Sequence, residues 1–69
     1  MEALLDKDPS TLTDAELVRA VAWAVQGFGV MACHAFRLPN PYEPITDALY
    51  DEAIRRGKPE LYEKGYQRA

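Results

Sequence analysis

The chain has 69 residues, 48% hydrophobic and 28% charged, with 8 Lys+Arg against 11 Asp+Glu and a formal net charge of −3. That length admits one small core with apolar surface left over, so residues 1-69 read as a single small helical domain that needs a partner to cover part of it. The acidic balance excludes general DNA or RNA binding and attraction to anionic lipid, the hydrophobic fraction excludes a disordered tail, and the single cysteine excludes an intrachain disulfide framework.

Residues 1 to 8, MEALLDKD, carry acids where a signal peptide carries a basic region. No targeting segment is expected, and the lone Cys33 fits a reducing compartment, which makes the cytoplasm the expected location. Residues 1 to 10 should form a turn or a frayed helix that docks through Leu4 and Leu5. The stretch Leu12-Thr13-Asp14-Ala15-Glu16-Leu17 then carries the start of a helix. Thr13 can cap it by accepting from the N–H of Glu16, the Glu16 carboxylate can reach back to the N–H of Thr13, and Leu12 can pack on Leu17. Asp14 and Glu16 also suit the positive end of the helix dipole.

From that start Leu17, Val21, Ala24, Phe28, Met31 and Ala35 recur at three- and four-residue steps as one apolar stripe. The remaining circumference is not polar either, because Val18, Ala22, Val25, Gly29, Val30 and Ala32 spread apolar surface round it and Trp23 adds a large ring. A helix that is apolar all round must be surrounded. The uncharged run from Ala20 to Phe36 reaches only the lower edge of the roughly 20 apolar residues a membrane span needs, and it contains Gln26, His34, Gly27 and Gly29, so no membrane partner is expected. Gly27-Phe28-Gly29 either kinks the helix, ends it, or allows close approach of another helix. If it ends there, Val30 to Phe36 forms a second short helix or a strand.

Arg37 to Pro44 holds three prolines, Pro39, Pro41 and Pro44, and reads as a stiff, extended or turned linker. Thr46 is expected to cap a second helix through Arg56, with Asp47 first, Ile45, Leu49, Ala53 and Ile54 on its inner face and Gly57 as its stop. Pro59 should open the last helix at its first position. The fold class is therefore all-α, a small bundle of about three helices with a proline-rich linker between the first and second.

Few residues here carry chemistry. Cys33 and His34 are adjacent, so on one helix their side chains point about 100° apart, and no second His or Cys completes a catalytic or zinc set. Cys33 is expected as a small core residue and His34 at a helix end or interface. The carboxylates pair with bases four residues on, Asp51 with Arg55, Glu52 with Arg56 and Glu60 with Lys64, which marks solvated faces. Glu43, Asp47 and Asp51 remain as a small acidic patch. Catalytic, metal-binding and cofactor-binding residues are all expected to be absent, and the chain is read as a non-enzyme.

Asn40-Pro41-Tyr42, with Leu61-Tyr62-Glu63-Lys64-Gly65-Tyr66 downstream, resembles the Pro-Tyr and aromatic-Gly-aromatic elements of ribosome modulation factor-like proteins. Those two stretches are the whole of the resemblance, and the chain lacks the basic surplus of that family, so no function or site residue is carried over. In size, acidity and lack of catalytic motifs the chain is also similar in type to the small inhibitors that phages encode, anti-CRISPR proteins among them.

The expected function is a non-enzymatic protein-binding module that modulates or inhibits a larger protein assembly, with a phage-type inhibitor as its most specific form and a homodimer as its expected state. Trp23, Gly27, Phe28, Val30 and Met31 are the expected interface residues on the first helix. Tyr42 and Tyr66, evenly weighed between packing and binding, are counted with the interface residues, while Tyr50 and Tyr62 are expected to pack. The alternative is an acidic nucleic-acid mimic or ribosome-associated regulator that acts through Glu43, Asp47, Asp51 and the tyrosines.

Overall fold

The computed structural model describes Leu5, residues 7 to 34 and residues 40 to 69, excluding the side chains of Cys33 and His34. Within these residues a short 3-10 turn, Pro9–Thr11, precedes three helices, α1 (Asp14–His34), α2 (Glu43–Arg55) and α3 (Glu60–Arg68), and no strand occurs. The three pack as a compact all-helical bundle with the proline-rich segment between α1 and α2.

The start of α1 forms as its sequence dictates. Glu16 N–H donates to Thr13 Oγ1 at 3.1 Å and Thr13 N–H donates to the Glu16 carboxylate at 2.9 Å, so two amides that a helix start leaves orphaned are satisfied reciprocally. That bond from the Thr13 amide holds the Glu16 carboxyl below its ordinary value. Leu12 and Leu17 are both buried in the core, as a staple across the helix start requires. Just upstream, Asp8 caps the 3-10 turn by accepting from the Ser10 amide at 3.0 Å and its hydroxyl at 2.9 Å. Leu5 packs against the core from this segment, as its docking role requires; Leu4 lies outside the described residues.

Gly27 to Gly29 neither ends nor replaces the helix, since α1 continues through it to His34. The core lies where α1 meets its two shorter partners, around Leu17, Val18, Val21 and Ala24 with Leu49, Ala53 and Leu61. Ala20 is buried with them. Gly65 sets the closeness of α3: a Cβ there would stand 2.6 Å from Val18 O and equally close to the Val21 side chain. Only a residue without a side chain lets the two backbones meet at that distance.

Helix α2 departs from the sequence reading at its start. It begins at Glu43, three residues before Thr46, with Tyr42 at the cap position and Pro44 inside the first turn. Proline is tolerated there because its missing N–H would have no intrahelical partner. Thr46 is buried rather than capping, and its hydroxyl donates to the Glu43 carbonyl at 2.9 Å. The other end agrees with expectation. Gly57 adopts φ +70, and the amides of Gly57 and Lys58 return to the carbonyls of Ile54 and Ala53 at 2.9 Å each, the paired closure of a Schellman motif. Ile54 does not face inward, being 47% exposed. Pro59 sits one position earlier than expected, capping α3 rather than opening it.

Candidate protein interface

Helix α2 runs antiparallel to α1, with Tyr42 at its start against Gly27 and Arg56 at its end against Asp14. Asn40 fixes this return. Its amide donates to the Phe28 carbonyl at 2.9 Å, while its side-chain oxygen accepts from the Tyr42 N–H at 3.0 Å. The Tyr42 ring occupies the space over Gly27, where a Cβ would lie 2.6 Å from the ring. The room at Gly27 thus takes a ring of the same chain, whereas Gly29 has nothing within 4 Å. Asn40-Pro41-Tyr42 acts here as an architectural clasp.

Because α1 has 21 residues against 13 in α2 and 9 in α3, its far end outruns its cover. Phe28 and Val30 are exposed, Val30 by 54%, and Trp23 is exposed too. The seven residues expected at an interface divide between two grooves. Trp23, Gly27, Val30, Met31 and Tyr42 surround one open groove of about 480 Å³ with Leu5, and no charged side chain is among the described residues that line it. Phe28 and Tyr66 belong to the other, of about 280 Å³, with Val25, Gly29, Thr46 and Tyr62. Trp23 and Phe28 are five residues apart, which places them about 140° apart round an α-helix. They lie on different faces of α1.

On the second face the tyrosines make a continuous aromatic surface. Tyr50 meets Tyr62 edge to face with centroids 5.1 Å apart, and Tyr62 meets Tyr66 at 6.4 Å. Tyr62 is half-buried and packs against the core, as expected, but Tyr50 is exposed, and Tyr66 is the most open of the four at 60%. Burial, then the neighbouring Tyr66, Asp47 and Tyr50, holds the Tyr62 hydroxyl above its ordinary value. Glu43, Asp47 and Asp51 all lie exposed along α2, and among the described residues none of them forms an ion pair.

The expected pairing of the carboxylates is corrected at three points. Arg55 turns to Glu52 instead of Asp51, with Nε donating to Oε1 at 2.9 Å. Glu60 and Lys64 form no ion pair, in keeping with the small return on ordering two exposed side chains. The Glu52–Arg56 pair does form, but it is buried rather than solvated, with side-chain exposures of 7% and 14%. What the sequence reading missed is how much else Arg56 holds. Its guanidinium donates to the Glu52 carboxylate at 2.6 Å, to Asp14 at 2.9 Å, and to the carbonyls of Pro9 and Leu12 at 3.0 and 2.6 Å. Lys58 adds a bond to the second Asp14 oxygen at 2.7 Å. Bonds from Arg55 and Arg56 hold the Glu52 carboxyl down at about 2, and bonds from Lys58 and Arg56 lower that of Asp14. This network ties the 3-10 turn, α1 and α2 together, and its bonds are made within the fold. The sequence signalled the helix end and the Glu52 pairing, but not the bonds to Asp14, Pro9 and Leu12, which lie more than forty residues away.

Among the described residues no group of three or more His, Cys, Asp or Glu is arranged to hold a metal ion, and no helix is long and apolar enough to cross a membrane. The expectations for the Cys33 and His34 side chains, and for Ala35, lie outside the described residues. No family model, curated protein or solved structure matches the chain.

Proposed function

We propose that this chain is a non-enzymatic protein-binding module that modulates or inhibits a larger protein assembly, and that it works as a homodimer paired through the Trp23 face of α1. The observation that carries the reading is the uncharged groove around Trp23, Val30 and Met31 on a helix that its own partners cover only in part. A large ring and aliphatic groups left in water mark a contact surface. A face with no charge also meets its own copy across a two-fold axis without repulsion. A phage-encoded inhibitor, anti-CRISPR-like in type, is the most specific form of the reading, and the cytoplasm is its place of action. The exposed, unpaired Glu43, Asp47 and Asp51 favour a second reading, an acidic mimic of nucleic acid or a ribosome-associated regulator.

Light scattering after size exclusion, at two protein concentrations, tests the first reading. The expected result is a dimer mass for the native chain and a folded monomer for Trp23→Glu. A folded monomer for the native chain at both concentrations would refute the pairing. Salt separates the two readings for any partner captured: binding through carboxylates weakens sharply with ionic strength, and binding through an apolar face does not.

A further inference from the structure

We infer that the tyrosine-bearing face of the bundle is a docking surface for an arginine-containing, amphipathic segment of a partner protein. The inference rests on the protein-binding reading above but not on the pairing of two copies through Trp23.

Three observations converge on this face. First, it is aromatic and open: Tyr50, Tyr62 and Tyr66 run as a connected row of rings, and Phe28 with Gly29 closes the groove beside Tyr62 and Tyr66. Exposed rings in such a row offer their faces to a guanidinium and their edges to aliphatic groups. Second, the rim is acidic. At 100° per residue, Glu43 and Asp47 share one side of α2 with the exposed Tyr50 and Ile54, while Asp51 lies further round, in the groove that holds Arg55. Asp47 is close enough to Tyr62 for its charge to bear on that hydroxyl. Third, among the described residues no Lys or Arg lines the tyrosine groove: Arg55 and Arg56 are engaged with Glu52, Lys58 with Asp14, and Arg19, Lys64 and Arg68 line a different groove beside Asp14 and Leu61.

Among the described residues the charge beside the rings is therefore of one sign, next to rings that stack on arginine. An arginine-bearing segment supplies both missing complements, a cation for the carboxylates and a flat group for the rings, while its aliphatic side chains fill the groove at Phe28 and Gly29. A polyanion is repelled by the same rim. Arginine is favoured over lysine because its planar guanidinium stacks and is more weakly hydrated.

The test uses the full chain, isotope-labelled, titrated with a synthetic amphipathic helix carrying arginine and leucine on one face, then with twins bearing glutamine or lysine in place of arginine. The arginine peptide is expected to bind about tenfold or more tightly than the glutamine twin and more tightly than the lysine twin, with affinity falling as salt rises. Amide shifts should concentrate at Phe28, Asp47, Tyr62 and Tyr66. Tyr66→Ala and Asp47→Asn, both at exposed positions, should each weaken binding about fivefold while leaving helicity and melting unchanged, and Trp23→Ala should leave it intact. Equal affinity for the arginine and glutamine peptides, shifts confined to Trp23 and Met31, or no binding to the folded chain would overturn the inference. So would concentration-dependent assembly of the native chain that both Arg68→Glu and Asp47→Lys abolish, since the face would then belong to the basic side of a second copy. If the native chain is a dimer through Trp23 and the arginine peptide does not bind, the docking inference alone fails; if the chain is monomeric and the peptide binds as described, only the pairing fails.

Discussion

The two halves of α1 differ more than their composition does. From Asp14 to Ala24 the helix is capped, tied to α2 through Arg56 and pressed against α3 at Gly65, with Leu17 and Val21 fully buried. From Val25 to Ala32 the cover thins: Val25 still packs against the core and the Tyr42 ring lies over Gly27, but Phe28 and Val30 are in water. Hydrophobicity decides that a residue seeks cover, while the lengths and positions of α2 and α3 decide which residues receive it. The first half carries most of the core, and the uncovered large side chains, Trp23, Phe28 and Val30, begin at its end and run into the second.

Substitution along α1 should expose this division most strongly. Leu17→Ala is expected to cost about 3 kcal/mol, the loss of a fully buried side chain plus the cavity it leaves, whereas Val30→Ala should stay within about 0.5 kcal/mol in the unpaired chain; urea unfolding of the two variants gives the ratio. Near equality would mean that the exposed half is covered in solution, which a dimer would do.

The glycines sharpen the contrast with an opposite sign. Gly65→Ala should destabilise by about 2 kcal/mol because its Cβ meets the α1 backbone. Gly29→Ala, in open helix, should stabilise by about 0.5–1 kcal/mol through the entropy of the unfolded chain. Thermal melts of both variants read the difference directly. At the capped end, Thr13→Ala should cost about 1 kcal/mol through loss of the Glu16 amide's acceptor, a change visible in the melting temperature.

The network round Arg56 is read by pH, since at neutral pH its charges are fully formed and stability there does not vary with its titration. Glu52 is depressed from 4.5 to about 2 in the folded chain, so its contribution is complete above 4.5 and is lost as pH falls from 4.5 through about 2. The lowered Asp14 adds in the same direction. Denaturation followed between pH 5 and 2 should show this loss, and Glu52→Gln should flatten it relative to the native chain.

Much of the fold was legible because its signals are local. Thr13 with Glu16 marks a helix start, Gly57 marks a stop that needs positive φ, and the spacing of Leu17, Val21 and Ala24 marks the buried side, each a matter of neighbours within one or two turns. Thr46 misled for the same reason, since a cap residue beside prolines suggests a boundary until Pro44 is seen to fit the first turn. The residues expected at an interface were chosen by type, and their division between two grooves was not legible, because the angle between Trp23 and Phe28 on a continuous helix matters only once Gly27 to Gly29 is known to be helical.

By itself, then, the sequence determined three helices, the capped start of the first, the glycine stop of the second and an excess of apolar surface, all of which depend on propensity and short-range hydrogen bonding. Only the tertiary structure decided that Arg56 gathers four acceptor groups from three segments, that Gly65 rather than Gly29 is the point of close approach, and that the tyrosines join Phe28 on a face of their own. Those facts depend on contacts between residues far apart in the chain, and the geometry of such contacts is set by packing rather than by any local pattern.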